Sequence, residues 1–129
     1  MRFLLDTHVW LWLQTSPERI AKGTLDQLAS PENELLLSAA SSWEIAIKFA
    51  LGKLPLPLPP VEYVEQRMVQ SGTSGLPVQH VHALRVAELP RIHSDPFDRL
   101  LVAQAQFESA TLVTLDEQIE RYDVECLRA

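Results

Sequence analysis

Thr111-Leu112-Val113-Thr114-Leu115-Asp116 is the stretch on which the fold turns. With Ala110 before it, the run is short, apolar and partly β-branched, the composition of a strand, and it stops at a carboxylate. Arg2-Phe3-Leu4-Leu5 repeats the pattern at the other end of the chain and stops at Asp6-Thr7. Glu34 to Ser38, carried by Leu35-Leu36-Leu37, is a third run too short to be a helix of its own. Tyr122 to Leu127 is a fourth, weaker candidate. A polar residue directly after a central parallel strand lies at the carboxyl edge of its sheet, where open α/β folds bind ligands.

Helical patterns fill the intervals. Val9, Trp10 and Leu13 share a face. Ser16-Pro17 signals a second start, after which Ile20, Ala21, Leu25 and Leu28 keep to one side until Ser30-Pro31. Ser41-Ser42 opens a helix with an apolar stripe of Trp43, Ala46, Ile47, Ala50 and Leu51, closed by Gly52. Leu54-Pro55-Leu56-Pro57-Leu58-Pro59-Pro60 reads as a stiff, packed connector rather than a domain boundary. Val61, Val64 and Met68 mark a helix ended by Ser71-Gly72-Thr73-Ser74-Gly75, and an extended piece around Leu76-Pro77-Val78 leads into a helix from His80 to Leu89. His80 and His82, two apart, do not share a helical face and read as surface or capping residues. His93 to Ala105 is a loop and then a buried helix, with Asp95 at the N-cap and Pro96 at the first helical position. The order strand, helices, strand, helix, loop, helices, strand, terminal strand predicts an α/β domain with a central parallel sheet.

Length and composition bound the function. At 129 residues the chain reads as a single domain, 1–129, that buries about two-thirds of its unfolded surface. Hydrophobic content of 47 % and charged content of 22 % are those of a soluble globular protein. No stretch reaches the roughly 20 uninterrupted apolar residues of a membrane helix. Asp6 and His8 break the apolar N-terminal run, and no small-residue cleavage site follows, which argues against a signal peptide. The single cysteine, Cys126, excludes an internal disulfide, fits a reducing cytoplasm and reads as a small buried hydrophobe. A net charge of −6 argues against binding nucleic acid through a basic surface, but not against an enzyme that meets phosphates through metal ions.

Right-handed crossovers bring the carboxyl ends of parallel strands to one edge. Asp6 and Asp116 fall there by position, and helices that follow strands begin there, which draws Glu44 and Asp98 toward the same place. Each acid also has a plainer reading. Asp95 and Asp98 suit the positive start of a helix. Ser41-x-x-Glu44 fits a capping box, and Glu44 with Lys48 fits a surface pair. Several ionised carboxylates within a few ångströms repel one another unless they share protons or bind a hard cation. An all-oxygen site without His or Cys suits Mg²⁺, with Mn²⁺ as the alternative, far better than Zn²⁺. The chemistry that follows is metal-assisted phosphodiester hydrolysis.

Leu5-Asp6-Thr7-His8-Val9, Ser42-Trp43-Glu44-Ile45, His93-x-Asp95-Pro96-Phe97-Asp98-Arg99 and Leu112-Val113-Thr114-x-Asp116 together resemble the PIN-domain nucleases, and among them the VapC-type toxins of prokaryotic toxin–antitoxin pairs. The resemblance spans essentially the whole chain, and Asp-Pro-Phe-Asp-Arg is its most specific element. It implies a three-layer α/β/α fold and a Mg²⁺-dependent endoribonuclease. Asp6, Glu44, Asp98 and Asp116 match the family's acidic positions. Asp6 and Asp98 would be direct metal ligands, Asp116 a direct or water-mediated one, and Glu44 would position water or the ion's hydration shell. Asp95 matches an extra acid of the subgroup, with a capping role equally open. Thr7 and Thr114 would orient carboxylates or pack at strand ends, and Arg99 would contact RNA phosphate or pair with an acid. The resemblance also implies a homodimer, a VapB-like antitoxin that blocks the site, and operator DNA bound through the antitoxin complex.

Two other functions fit parts of the sequence. A haloacid-dehalogenase-like phosphatase would use Asp6 as its nucleophile, but His8 stands where a second Asp is wanted and no lysine follows Lys53. A non-catalytic PIN-like binding module would keep the acids as structure. Trp10, Trp12 and Trp43 read first as core residues and second as interface anchors.

Overall fold

A computed structural model describes all 129 residues. Strands β1 (Arg2–Leu5), β2 (Glu34–Ser38), β3 (Thr73–Leu76), β4 (Thr111–Thr114) and β5 (Cys126–Arg128) form one 5-stranded sheet in the order β3-β2-β1-β4-β5. Every neighbouring pair is parallel, and Leu4 of β1 lies opposite Leu36 of β2 and Leu112 of β4. The helices are α1 (Thr7–Thr15), α2 (Lys22–Ala29), α3 (Ala39–Ala50), α4 (Pro60–Ser71), α5 (His80–Arg85), α6 (Pro96–Glu108) and α7 (Glu117–Glu120). No helix is long and apolar enough to cross a membrane.

Because successive side chains of a strand point to opposite faces, the pleat sorts the core into two halves. Phe3, Leu5, Leu35, Leu37 and Val113 pack with Val9 and Trp10 of α1, Leu28 of α2 and Tyr63 of α4. Leu4, Leu36 and Leu112 pack on the other face with Leu101, Val102 and Ala105 of α6 and Ile119 of α7. The result is the three-layer α/β/α arrangement. The connector keeps Leu54, Leu56 and Leu58 against the first half of the core, as a packed loop should. Since β1 and β4 are central neighbours, the residues that follow them meet at one edge of the sheet.

Several local readings are corrected. Thr73-Ser74-Gly75, expected only to end the preceding helix, joins Leu76 in edge strand β3, paired from Leu35↔Thr73 to Ser38↔Leu76. Gly72, left-handed at φ 65°, ends α4 and releases the chain directly into that strand. The last strand is confined to Cys126–Arg128, and Cys126 is half-buried rather than enclosed. Helix α3 starts earlier than Ser41-Ser42 suggested. Ser38 is its N-cap, with Oγ accepting from the Ala40 N–H at 3.0 Å. Ser41 therefore sits inside the helix, and the capping box with Glu44, one of the two readings open for that residue, does not form. His82 is fully buried and caps α5 with Gln79, its Nε2 lying 2.9 Å from Glu108 Oε2, whereas His80 is exposed. Trp10 belongs to the core, but Trp43 is 63 % exposed and meets Phe97 edge to face, with ring centroids 5.3 Å apart.

Candidate active site

Asp6 is the first residue beyond β1, its N–H donating to the Val113 carbonyl at 2.9 Å in continuation of the sheet ladder. It stands at the N-cap of α1, yet its carboxylate makes no capping bond there. Instead, Oδ2 accepts the Thr114 hydroxyl at 2.8 Å. Of the two threonines, only Thr114 orients a carboxylate; Thr7 donates to the Ser41 hydroxyl at 2.8 Å and joins α1 to α3.

Glu44 comes from the second turn of α3, which follows β2 without a loop. With Ser41 unavailable as a cap, the Glu44 carboxylate is turned inward. It is 6 % exposed, and Oε2 accepts from Lys48 Nζ at 2.8 Å. The pair expected at the surface is thus half-buried. The Lys48 ammonium is held above its ordinary pKa, first by that hydrogen bond and further by the charges of Glu44, Asp95 and Asp98, against the opposing effect of burial.

Asp95 is the N-cap of α6, with Oδ1 accepting the N–H groups of Phe97 (2.8 Å) and Asp98 (3.4 Å). That cap directs Asp98 back toward β1 and β4 from the first turn of the helix. Burial, with repulsion from Asp6, Asp95 and Glu44, pushes the Asp98 carboxyl up to about 7 despite the nearby His93. Asp6 is raised as well, chiefly by burial, with Thr114 and His8 opposing and Glu44 and Asp116 adding to the rise. Upward shifts on two neighbouring carboxyls mark a pocket crowded with like charge.

Asp116 caps α7, with Oδ1 accepting from the Gln118 N–H at 2.8 Å, while its own N–H donates to Thr114 Oγ1 at 2.9 Å. Burial would raise its pKa, but the His93 hydrogen bond and the backbone N–H groups of Gln118 and Ile119 outweigh it and leave the carboxyl low. Asp6, Glu44, Asp95, Asp98 and Asp116 line one open cleft of about 390 Å³ together with His8, Trp12 and Lys48. All the acids singled out in the sequence are therefore brought together.

The sequence reading missed His93. Its Nε2 lies 2.8 Å from Asp116 Oδ2 and 3.0 Å from Asp98 Oδ2. One donor atom from each of these three residues falls within 4.8 Å of the others, so the cluster is not bordered by oxygen alone. The only signal was position, in the loop two residues ahead of the capping Asp95. Arg99 forms no ion pair with an acid. Its guanidinium donates to the carbonyls of Pro90 (2.9 Å) and Val86 (3.1 Å) and to the Tyr122 hydroxyl (3.2 Å), which pins the loop that carries His93.

Comparison with known proteins places this geometry in context. The PIN domain family matches residues 3–125. Ribonuclease VapC22 of Mycobacterium tuberculosis is 29 % identical over 119 residues, 92 % of this chain and 90 % of that protein. Ribonuclease VapC16 of the same organism is 60 % identical over 50 residues, which cover 39 % of this chain and only 36 % of that protein. Among solved structures, VapBC2 from Rickettsia felis bound to a promoter DNA fragment superimposes with a TM-score of 0.71 at 18 % identity, covering 99 % of this chain and 98 % of that one. FitAB bound to an IR36 DNA fragment gives 0.65 at 23 % identity, covering 98 % and 94 %. These two likenesses establish the fold.

Proposed function

The chain belongs to the PIN domain family, and we propose that it is a divalent-metal-dependent endoribonuclease, the toxin of a VapBC-type toxin–antitoxin pair built on a single domain, 1–129. One observation carries the reading: Asp6, Glu44, Asp98 and Asp116, far apart in sequence, face a single cleft. The relatives named as VapC ribonucleases support the reaction class.

The residues present fit a hard divalent ion. Asp6 and Glu44 each accept a protein donor on one oxygen, Thr114 at 2.8 Å and Lys48 at 2.8 Å, and keep the other. Asp98 is pushed up to about 7 by burial and by its acidic neighbours, the mark of crowded like charge that a bound cation relieves. Asp6 and Asp98 would hold the ion, with Glu44 orienting its water. Asp116 would act through water, and Asp95 serves the helix first. When bound, Mg²⁺ or Mn²⁺ polarises the phosphate and lowers the pKa of a bound water at neutral pH.

The chain's own residues do the rest. Thr114 fixes the rotamer of Asp6, and the Asp95 cap fixes the start of α6 and hence Asp98. Glu44, held by Lys48, is placed to accept a proton from the attacking water, and Lys48 adds positive charge beside the phosphate path. His8, Trp12 and Leu115 complete the walls of the cleft. With few cations of its own near the cleft, the protein draws RNA phosphate through the ion it holds.

A VapB-like antitoxin, a homodimer, operator DNA bound through the antitoxin complex and a cytoplasmic location complete the proposal. The solved VapBC and FitAB complexes support it by fold alone. The test is to incubate the purified chain with total RNA, with Mg²⁺ and with chelator, and to map the new ends. Discrete cuts that require Mg²⁺ are expected. Absence of cleavage, cleavage indifferent to chelator, or turnover of small phosphate esters in place of RNA would contradict the assignment.

A further inference from the structure

Two contacts fix the His93 imidazole between Asp98 and Asp116. The Asp95 N–H donates to Nδ1 at 3.1 Å, so that nitrogen presents its lone pair and the neutral ring carries its hydrogen on Nε2. Nε2 is then the donor, 2.8 Å from Asp116 Oδ2, with Asp98 Oδ2 3.0 Å away. The loop is anchored from the other side as well. The His93 N–H donates to the Tyr122 hydroxyl at 2.8 Å, and Tyr122 is buried.

We infer that His93 stands in for a second cation: the chain takes one divalent ion, on Asp6 and Asp98 with Glu44 orienting its water, and the imidazole N–H fills the place between Asp98 and Asp116. An ion shared by those two carboxylates would lie about 2.1 Å from each oxygen, in the space that the Nε2–H enters. A nitrogen that carries hydrogen has no lone pair for a metal, so His93 in this tautomer is not a ligand. Both Asp116 oxygens already accept a protein donor, Oδ1 from Gln118 at 2.8 Å and Oδ2 from His93. His93 is therefore a positioning residue: it holds Asp116 and closes that side of the cluster with a donor in place of a charge.

This rests on the metal-dependent reading above, and the test separates the two. Mn²⁺ bound per chain is counted by electron paramagnetic resonance on the metal-free protein titrated with Mn²⁺. One ion is expected for the wild type, two for His93→Ala, and one for His93→Gln, whose amide restores an N–H donor. Thermal melts of each variant verify the fold. Two ions in the wild type or in His93→Gln, or an unchanged single ion in folded His93→Ala, would overturn the inference. Loss of Mn²⁺ from folded His93→Ala would also overturn it, by making His93 a ligand. If His93→Ala does not fold, the wild-type and His93→Gln counts still decide. Failure of the wild type to bind Mn²⁺ at all would remove the metal-dependent function and this inference with it.

Discussion

Replacing Asp98 by asparagine is expected to lower Mg²⁺-dependent RNA cleavage at least about a hundredfold, the scale of losing a group that holds the ion, and at the same time to make the metal-free protein more stable. The two effects have one cause. Burial and the neighbouring carboxylates push Asp98 up to about 7 from its ordinary 3.8, so the folded protein disfavours the ionised form. The penalty is absent below pH 4, where the group is neutral in both states. It grows as the pH rises from about 4 to about 7 and is constant above that, where the group is ionised in both states. Metal-free wild type should thus lose stability over that interval, and Asp98→Asn should flatten the loss. Because water reaches the mouth of the cleft and screens the charges, the gain near neutral pH is about 1–2 kcal/mol, or roughly 3–8 °C in Tm. Thermal melts across pH with chelator present measure this. A binding module with structural acids would instead retain RNA affinity and show no cleavage to lose.

Trp10→Ala should cost about 3–5 kcal/mol, the range for emptying a buried aromatic site, and lower Tm by roughly 10–20 °C. Trp10 is 0 % exposed and packs beneath the sheet with Phe3, Leu5 and Val113. Its indole N–H donates to Thr73 Oγ1 at 3.2 Å, which ties α1 to edge strand β3. Against a total stability of about 5–15 kcal/mol, the variant stands close to unfolding. Trp10→Phe should lose far less, because most of the apolar contact remains and Thr73 keeps its contact with Ser71 at 2.7 Å. Urea denaturation of the two variants gives the comparison. A loss below about 1 kcal/mol for Trp10→Ala would show that α1 is not anchored through this side chain.

What was legible in the sequence followed from runs of apolar residues that end abruptly. Phe3-Leu4-Leu5 before Asp6 and Leu112-Val113-Thr114 before Asp116 each declare a buried strand and its carboxyl end together, and both acids reach the cleft. Thr73-Ser74-Gly75-Leu76 is invisible to that reading. As an edge strand it buries only Thr73 and Leu76, so its composition is that of a turn. Glu44 was ambiguous because two serines lie near the start of α3. Ala39 and Ala40, both favourable in a helix, let it begin at Ser38, and that choice frees Glu44 for the cleft. His93 and Arg99 depend on how a loop folds back onto α6 and Tyr122, and no periodicity encodes such a return. Trp43, on the apolar stripe of α3, remains exposed beside Phe97 because the stripe is wider than the surface that covers it.

The central claim is that distant carboxylates converge on one hard cation. Anomalous diffraction from crystals soaked in Mn²⁺ tests it most directly. The account predicts a peak in the cleft within about 2.2 Å of oxygens from both Asp6 and Asp98. Saturating Mn²⁺ that leaves the cleft without a peak, or that appears only at carboxylates elsewhere on the surface, would contradict it.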